Sequence, residues 1–533
     1  MTSAVVVALS GVLYGLAFPP SPHPWLTWWA LVPLLLVLRG ASAARAGWLG
    51  WLWTFVMTCT VNDWFPRAVS GYFGQGPLVG LGLFVGVTTL TAGIQYAAFA
   101  TIYREVANIR PWLRPWFAAS AWVAADLARL WMFGGDPWAL AGYSQADVLP
   151  IVQVADLSGV HGVTFLVVAV NASLAEAWLA WRARRSGSHD LAWSLAPAAL
   201  AVALATAYGL VRLHALEDDG EPGRRGGVEV GIAQAHLPLG SLWKPEFHGR
   251  NLDAYLQLTR SLGRSVRPRL VVWPEASMTF FPADEPERRA AIAGALAPLG
   301  AELLAGGPFA TAEPSPAFYN SAFLFSPRGE ILGRYDKQFL LPFAEYLPLG
   351  WIDLFRRSFG RVRGFAAGPS KDVLMTAGAK AGVLVCNEGF FAEPASERVR
   401  DGATLLVNLS NDSWLGDAKY SEPAFDMVRL RAIEQRRWVV RASTSGPSAL
   451  VAPTGRVASR SGLLTQATIE GAVEPRTGKT IYHFLGDAFA WACVAATGAA
   501  AFRLRTGAGH GAARFPVTTG RPEARMPVRL PKA

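Results

Sequence analysis

The sequence predicts a membrane-anchored α/β protein, with eight apolar helices and, between the seventh and the eighth, a layered α/β domain. Three observations carry that expectation. Hydrophobic residues fill 52% of 533 positions, mean hydropathy is +0.25 and tryptophan occurs 21 times, an apolar load beyond that of an ordinary water-soluble enzyme. Those residues gather into long runs instead of spreading evenly. After residue 227 the pattern changes to short β-like runs alternating with helical stretches, which implies helices layered on sheet.

Seven apolar runs come first: Ala4 to Phe18, Trp25 to Leu38, Ala46 to Val61, Leu78 to Ile102, Trp116 to Phe133, Val160 to Trp181 and Leu191 to Val211. An eighth covers Leu485 to Phe502. Several sit near the lower end of the roughly 17 to 25 residues that cross a bilayer. The first lacks a preceding positive charge and ends in Pro19-Pro20 without a small-residue cleavage site, so it reads as a retained helix rather than a cleaved signal.

Arginines set the expected orientation. The loops after the second, fourth and sixth runs carry Arg39 and Arg45; Arg104, Arg110 and Arg114; and Arg182, Arg184 and Arg185, whereas the alternate loops carry only Arg67. The tail adds Arg503, Arg505, Arg514, Arg521, Arg525, Arg529 and Lys532, so both termini are expected in the cytoplasm and the long domain outside it. The net charge of +10 follows from that placement, and no nucleic-acid partner is expected. In the fifth run Asp126 and Arg129 lie one turn apart, a pair that either marks a function or neutralises itself near an interface. Gly135-Asp136-Pro137-Trp138 and Gly142-Tyr143-Ser144-Gln145 follow in the external loop.

In the domain, strands are expected over Val228 to Gln234, Leu270 to Trp273, Glu302 to Gly306, Ser321 to Ser326, Ile331 to Tyr335, Gly382 to Cys386, Thr404 to Leu409, Trp438 to Ala442 and Ala449 to Ala452. Helices are expected over Asn251 to Leu262, Glu285 to Leu296, Pro394 to Arg400 and Glu422 to Arg436. The Gly-, Pro- and Arg-rich tail has the composition of a disordered segment.

The chemistry centres on Cys386, where the apolar run Ala381-Gly-Val-Leu-Val breaks off. Cys59 and Cys493 fall inside apolar runs, which leaves Cys386 as the one thiol of the polar domain and excludes an internal disulfide there. The eight histidines show no metal-ligand spacing, so neither a metal nor any other cofactor is expected. Two more polar residues end apolar runs: Glu275 in Leu-Val-Val-Trp-Pro-Glu275, and Lys337 in Arg-Tyr-Asp-Lys337. A carboxylate, an ammonium and a thiol together suit acyl transfer through a thioester, as base, oxyanion stabiliser and nucleophile. Taken singly, each has an ordinary structural use: a buried cysteine fills space, a carboxylate caps, a strand-end lysine is solvated.

Glu, Lys and Cys at strand ends in that order resemble the nitrilase superfamily. Further stretches narrow the likeness: Tyr335-Asp-Lys337, Pro342-Phe-Ala-Glu345-Tyr346-Leu-Pro348, Asn408-Leu-Ser-Asn-Asp412-Ser-Trp414-Leu-Gly416 and Arg431-Ala-Ile-Glu434. With spans on both sides of the domain, the chain resembles the bacterial apolipoprotein N-acyltransferases over nearly its whole length. The resemblance implies an eight-helix transmembrane bundle carrying a nitrilase-like α-β-β-α sandwich domain. Its parts would be 1–214 for seven helices, 215–484 for the extracytoplasmic catalytic domain, 485–503 for the eighth helix and 504–533 for the basic tail.

It also implies an activity: transfer of an acyl chain from a membrane phospholipid to the α-amino group of a diacylglyceryl cysteine at the N-terminus of an apolipoprotein. The setting is the bacterial inner membrane, and a monomer is expected. Carried over by motif, Cys386 is the nucleophile, Glu275 the base and Lys337 the cation, with Glu345, Glu388 and Asn387 in support and Trp243, Trp351 and Phe390 toward substrate. Met278, Phe280, Phe281 and Phe391 are further candidates for an acyl route. Two departures stand out. Asn387 follows the nucleophile where the family commonly has an aromatic, and Asp136 replaces the phenylalanine of a common Gly-Phe-Pro-Trp loop. A membrane-tethered amidase, and a transporter or scaffold whose outer domain only binds, are the rival readings.

Overall fold

Short aliphatic runs, each cut off by Gly, Pro or a charged turn, form the strands of the domain. The computed structural model describes residues 2–74, 76–183, 188–218, 227–237, 248–264, 266–312, 316–347, 364–370, 372–413 and 415–507. The strands are β1 (Val228–Gln234), β2 (Leu270–Val272), β3 (Glu302–Ala310), β4 (Phe318–Phe325), β5 (Ile331–Asp336), β6 (Leu374–Thr376), β7 (Ala379–Val385), β8 (Leu405–Ser410), β9 (Val439–Ser443), β10 (Ala449–Val451), β11 (Val457–Arg460) and β12 (Ala467–Val473). One sheet runs β12-β1-β2-β3-β4-β5 and the other β11-β10-β9-β8-β7-β6. The central strands, β1 to β3 and β7 to β9, are parallel. They are buried on both faces, which is why they read as unbroken aliphatic runs rather than alternating ones.

The sheets meet face to face through Val230, Ile232, Val272 and Leu304 on one side and Val383, Val385, Val407 and Val440 on the other. Helices His248–Ser261 and Pro286–Leu296 cover the outer face of the first sheet, around Val271, Trp273, Leu303 and Phe323. Ala392–Arg400 and Ala418–Gln435 cover the second, around Leu384, Leu406 and Val439. The result is a nitrilase-like α-β-β-α sandwich. The expected strands and helices all form, with ends shifted by a few residues. β6, β11 and β12 were not anticipated; β11 alternates half-buried and exposed residues, and β6 is only three residues long.

The apolar runs are helical but unequal. Among the described residues three helices are long and apolar enough to cross a membrane: Pro77–Asn108, Ala155–Arg182 and Ser194–Leu216. The run Trp25 to Leu38 breaks into a 3-10 turn, Pro24–Trp28, and a seven-residue helix, Val32–Leu38, because Pro24 and Pro33 each restart the backbone at a first turn. Seven residues rise only about 10 Å, short of a hydrocarbon core of about 30 Å. Inside the helical part Trp53 and Trp122 are fully buried with Tyr14 and Tyr96, ring centroids 4.7 to 6.2 Å apart.

The helix Ala418–Gln435 serves both halves. Its Val428, Leu430 and Ala432 share one continuous core with the second sheet and with Val167, Ala172 and Ala175 of the helix Ala155–Arg182. Charges lock the same seam. Asp156, at the foot of that long helix, accepts from Arg436 Nη2 (2.6 Å), Arg212 Nε (3.1 Å) and Tyr208 Oη (2.7 Å). Arg436 also donates to Gln153 Oε1 (2.7 Å) and to the Pro453 carbonyl (2.9 Å). Removing one partner of such a buried pair strands the other charge, at a cost of about 3–5 kcal/mol. Asp156→Ala is therefore expected to lower the thermal unfolding midpoint of the full chain in detergent well below wild type, and Asp156→Leu with Arg436→Met to recover part of the loss. An unchanged midpoint in the single variant would show that the seam does not depend on this pair.

Candidate active site

Three strand ends converge on one buried pocket. Glu275 stands three residues past the end of β2, and its neighbour in β3 is Gly306, where a β-carbon would lie 2.6 Å from the Glu275 Cα. Only glycine lets the base come so close to the sheet. Asn320 of β4 donates its amide to Glu275 Oε1 (2.7 Å), and the backbone N–H of Asn411 donates to Oε2 (2.9 Å). Both carboxylate oxygens are thereby held, one from each sheet.

Lys337 stands immediately after β5 with 1% of its surface exposed. Its ammonium meets Glu345 Oε2 at 2.6 Å, and the other Glu345 oxygen accepts from Asn320 at 2.7 Å. Asn320 thus bridges the two carboxylates through one amide nitrogen, a position that the sequence reading missed.

Cys386 ends β7 and opens the 3-10 turn Cys386–Phe390. Its φ is +54°, in the left-handed region that costs a non-glycine residue on the order of 1–3 kcal/mol and that recurs at functional turns. Glu388 sustains the turn from below. Its Oε2 accepts from the Val385 N–H (2.7 Å), and its Oε1 from Tyr335 Oη (2.8 Å) and from the N–H groups of Gln338 (2.8 Å) and Phe339 (3.1 Å). The same carboxylate ties the cysteine turn to the segment just after Lys337. Asn408 braces it from the side, donating to the Leu384 and Cys386 carbonyls at 3.0 and 3.2 Å. Behind Asn408, Arg441 bonds its side-chain oxygen and meets Asp412 at 2.9 Å, and Asp412 accepts from Ser410 (2.7 Å) and Ser443 (3.0 Å). The stretch Asn408 to Asp412 therefore fixes the loop beside the thiol by local hydrogen bonds, as its composition suggested.

Burial dominates the electrostatics. It pushes the Cys386 thiol well above its ordinary value, with Glu275 adding to the rise and Lys337 opposing it. Burial also raises Glu275, against Lys337 and with Glu345. For Lys337 burial alone would pull the pKa down, but Glu345, Cys386 and Glu275 outweigh it and hold the ammonium charged. The fixed charge of the site is the Lys337 ammonium.

Glu275, Lys337, Cys386 and Glu345 meet here, and Glu388 holds the cysteine turn from behind. Asn387 is 3% exposed and its side-chain oxygen has no partner among the described residues. Phe390 faces the helical bundle, its ring 6.0 Å from Trp138 and 6.4 Å from Tyr420. Trp243 and Trp351 lie outside the described residues. Met278 and Phe280 do not line an acyl route; they pack between the first sheet and its helices with Trp273 and Ile292. Arg441 carried a usable signal, a charge in the middle of the apolar run Val439 to Ala442. Among the described residues, no group of three His, Cys, Asp or Glu is placed to hold a metal ion.

Comparison with known proteins places two family models on the chain: the apolipoprotein N-acyltransferase N-terminal domain over residues 10–173 and carbon-nitrogen hydrolase over residues 230–482. An apolipoprotein N-acyltransferase of Geobacter metallireducens is 31% identical, across 94% of this chain and 96% of its own length. One from Methylococcus capsulatus is 28% identical, across 91% and 93%. Among solved structures, a nitrilase-superfamily amidase of Nesterenkonia sp. AN1 aligns over 51% of this chain and 98% of its own, at 17% identity and a TM-score of 0.37.

Because Lys337 favours the thiolate, Lys337→Met is expected to move the pH at which Cys386 becomes half-reactive toward iodoacetamide upward. Peptide-level mass spectrometry across a pH series measures it. A midpoint that stays put or falls would remove Lys337 from any role in the thiol's field.

Proposed function

Since the chain belongs to the apolipoprotein N-acyltransferase family, we propose that it takes a fatty acyl chain from a membrane phospholipid and passes it to the α-amino group of a diacylglyceryl cysteine, through a thioester on Cys386. The observation that carries this reading is the shared pocket. A thiol on a left-handed turn stands in the field of Glu275 and Lys337, and Phe390, which ends the same turn, meets the ring of Trp138 in the loop after the helix Arg114–Trp131 at 6.0 Å.

In the first half-reaction Glu275 takes the thiol proton and the sulfur attacks the ester carbonyl. Lys337 and the backbone N–H of Asn387 face the developing oxyanion, donors of a kind whose single loss typically costs about 100-fold or more in rate. The intermediate collapses, the glycerol oxygen leaves with the proton from Glu275, and lysophospholipid departs. In the second half-reaction the α-amine attacks the thioester, Glu275 accepts its proton, and the thiolate is expelled as the amide forms. Glu345 and Glu388 act on the geometry of Lys337 and Cys386; Trp243, Trp351 and Phe390 are assigned to the lipid substrates.

The proposed topology has eight spans, with 1–214 supplying seven, of which the interrupted run Trp25 to Leu38 counts as one only by taking its 3-10 turn and its short helix together, and 485–503 the eighth; the catalytic domain 215–484 lies on the periplasmic side of the inner membrane, and both termini and the tail 504–533 in the cytoplasm. The distribution of arginines between alternate loops supports it. The enzyme is proposed to work as a monomer without metal or cofactor.

Intact-mass measurement after incubation with phospholipid tests the central step. Wild type is expected to gain one acyl chain that hydroxylamine removes, Cys386→Ser to gain no such thioester, and Glu275→Ala to acylate far more slowly. A hydroxylamine-labile chain on the protein lacking the sulfur would end the assignment, and release of ammonia from a soluble amide without acylation by lipid would favour the amidase reading.

A further inference from the structure

The paired charges of the fifth apolar run tie the loop that follows it to the helical part of the chain. Arg129 is 1% exposed in the helix Arg114–Trp131, and its guanidinium has three kinds of partner. Nη1 donates to Tyr96 Oη (2.9 Å), whose hydroxyl in turn donates to Asp126 Oδ1 (2.6 Å). Nη2 donates to the Trp138 carbonyl (2.7 Å) and meets Asp136 Oδ2 at 3.2 Å. Asp136 also accepts from Thr91 Oγ1 (2.9 Å) and from the Trp138 N–H (3.1 Å). One carboxylate therefore clasps a helix, the neighbouring helical segment and its own loop.

The loop needs a clasp. Phe133, Gly134 and Gly135 have φ of +54°, +87° and +83° in succession, and Ala139 follows at +57°. Gly134 and Gly135 take such values freely, but Phe133 and Ala139 take them against their side chains. Held there, the loop sets Gly135 so close to Phe391 that a β-carbon would lie 2.8 Å from the ring. It also sets the Trp138 ring 5.3 Å from Tyr420, 5.5 Å from Trp64 and 6.0 Å from Phe390, centroid to centroid. Phe390 ends the turn that Cys386 begins, so the Trp138 ring packs on the same short turn that carries the nucleophile.

We propose that Asp136 is a positioning residue that, through Arg129 and the Gly135 to Trp138 loop, holds Trp138 as one wall of the channel by which an alkyl chain reaches Cys386. The wall is aromatic and carries no charge, so the ligand it fits is the hydrocarbon of an acyl group. Which lipid brings that chain rests on the acyltransferase reading; the clasp does not.

The test therefore uses a reaction that requires no turnover. Full-length enzyme in detergent is treated with iodoacetamide or with N-dodecyl iodoacetamide, and the rate at Cys386 is read by peptide mass spectrometry. Asp136→Ala is expected to slow the long-chain reagent about tenfold or more relative to iodoacetamide, since a displaced wall misplaces the chain, while the small reagent reacts within about twofold of wild type. Asp136→Asn, which keeps an acceptor for the Trp138 N–H, should fall between. Asp136→Ala with Trp138→Ala should be no slower than Trp138→Ala alone, because the first residue acts through the second. A long-chain rate unchanged in Asp136→Ala, or losses that multiply in the double variant, would overturn the proposal. Failure of phospholipid to acylate wild-type Cys386 would instead strike the proposed function and leave the chain-length selectivity standing.

Discussion

An ammonium taken out of water has to be answered, and the arrangement around Lys337 is the answer. A lone buried cation costs several kcal/mol even after relaxation. Glu345 at 2.6 Å neutralises it, but a second carboxylate, Glu275, lies in the same field, so one cation faces two anions. Asn320 makes the excess tolerable by donating one amide nitrogen to both carboxylates at 2.7 Å. The Asn411 N–H takes the remaining Glu275 oxygen. Each polar group here is fixed by another that is itself fixed, which is the condition for a buried network to be rigid rather than costly. Glu275 and the thiol are then the two groups of the site between which a proton can pass.

Rigidity of that kind needs a frame, and the frame is shared with the membrane helices. The helix Ala418–Gln435 is buried along nearly its whole length because sheet presses on one side and the helix Ala155–Arg182 on the other. Arg431 and Glu434 pair at 3.0 Å inside that seam, and Arg431 reaches Tyr143 Oη at 3.2 Å. Arg429 donates to Asp147 at 2.5 Å and Arg436 to Asp156 at 2.6 Å, both partners belonging to the N-terminal part. A hinge between bundle and sandwich would have to break these contacts together. The site therefore keeps a constant relation to the apolar helices of the N-terminal part.

Much of this was legible in the sequence. Glu275, Lys337 and Cys386 each terminate an apolar run, which the sequence shows; that they converge depends on two sheets facing each other, since Glu275 and Lys337 follow strands of one and Cys386 a strand of the other. Glu345 and Glu388 were found by motif, and their hydrogen bonds explain why carboxylates stand there. Asn320 was not legible: a polar residue near a strand end looks like any solvated edge, and its two partners are 45 and 25 residues away. The break at Pro24 and Pro33 was missed because hydropathy counts leucines and ignores where the chain must restart. Asp126 and Arg129 read as a pair one turn apart, but at 4.0 Å their direct contact is the weakest link of a network whose other members, Tyr96 and Asp136, come from different segments.

The upward shift of both Cys386 and Glu275 looks at first like a handicap, since a nucleophile wants a thiolate and a base wants to be ionised. On the two-step route it suits the sequence of proton transfers. A carboxyl whose pKa burial has raised is a stronger base toward the thiol, and on the proposed route its protonated form lies close enough to ordinary pH to return that proton to the leaving oxygen, whose own pKa is far higher. In the second step the same group must take a proton from an ammonium product as it forms, and a dry carboxylate does so more readily than a solvated one. Lys337 keeps its charge through both steps, so each oxyanion meets the same field with no solvent to reorganise. Opening the pocket to water would lower both pKa values toward ordinary and weaken that field at once. The burial that raises the thiol is thus the same burial that makes the cation effective, and neither can be relaxed alone.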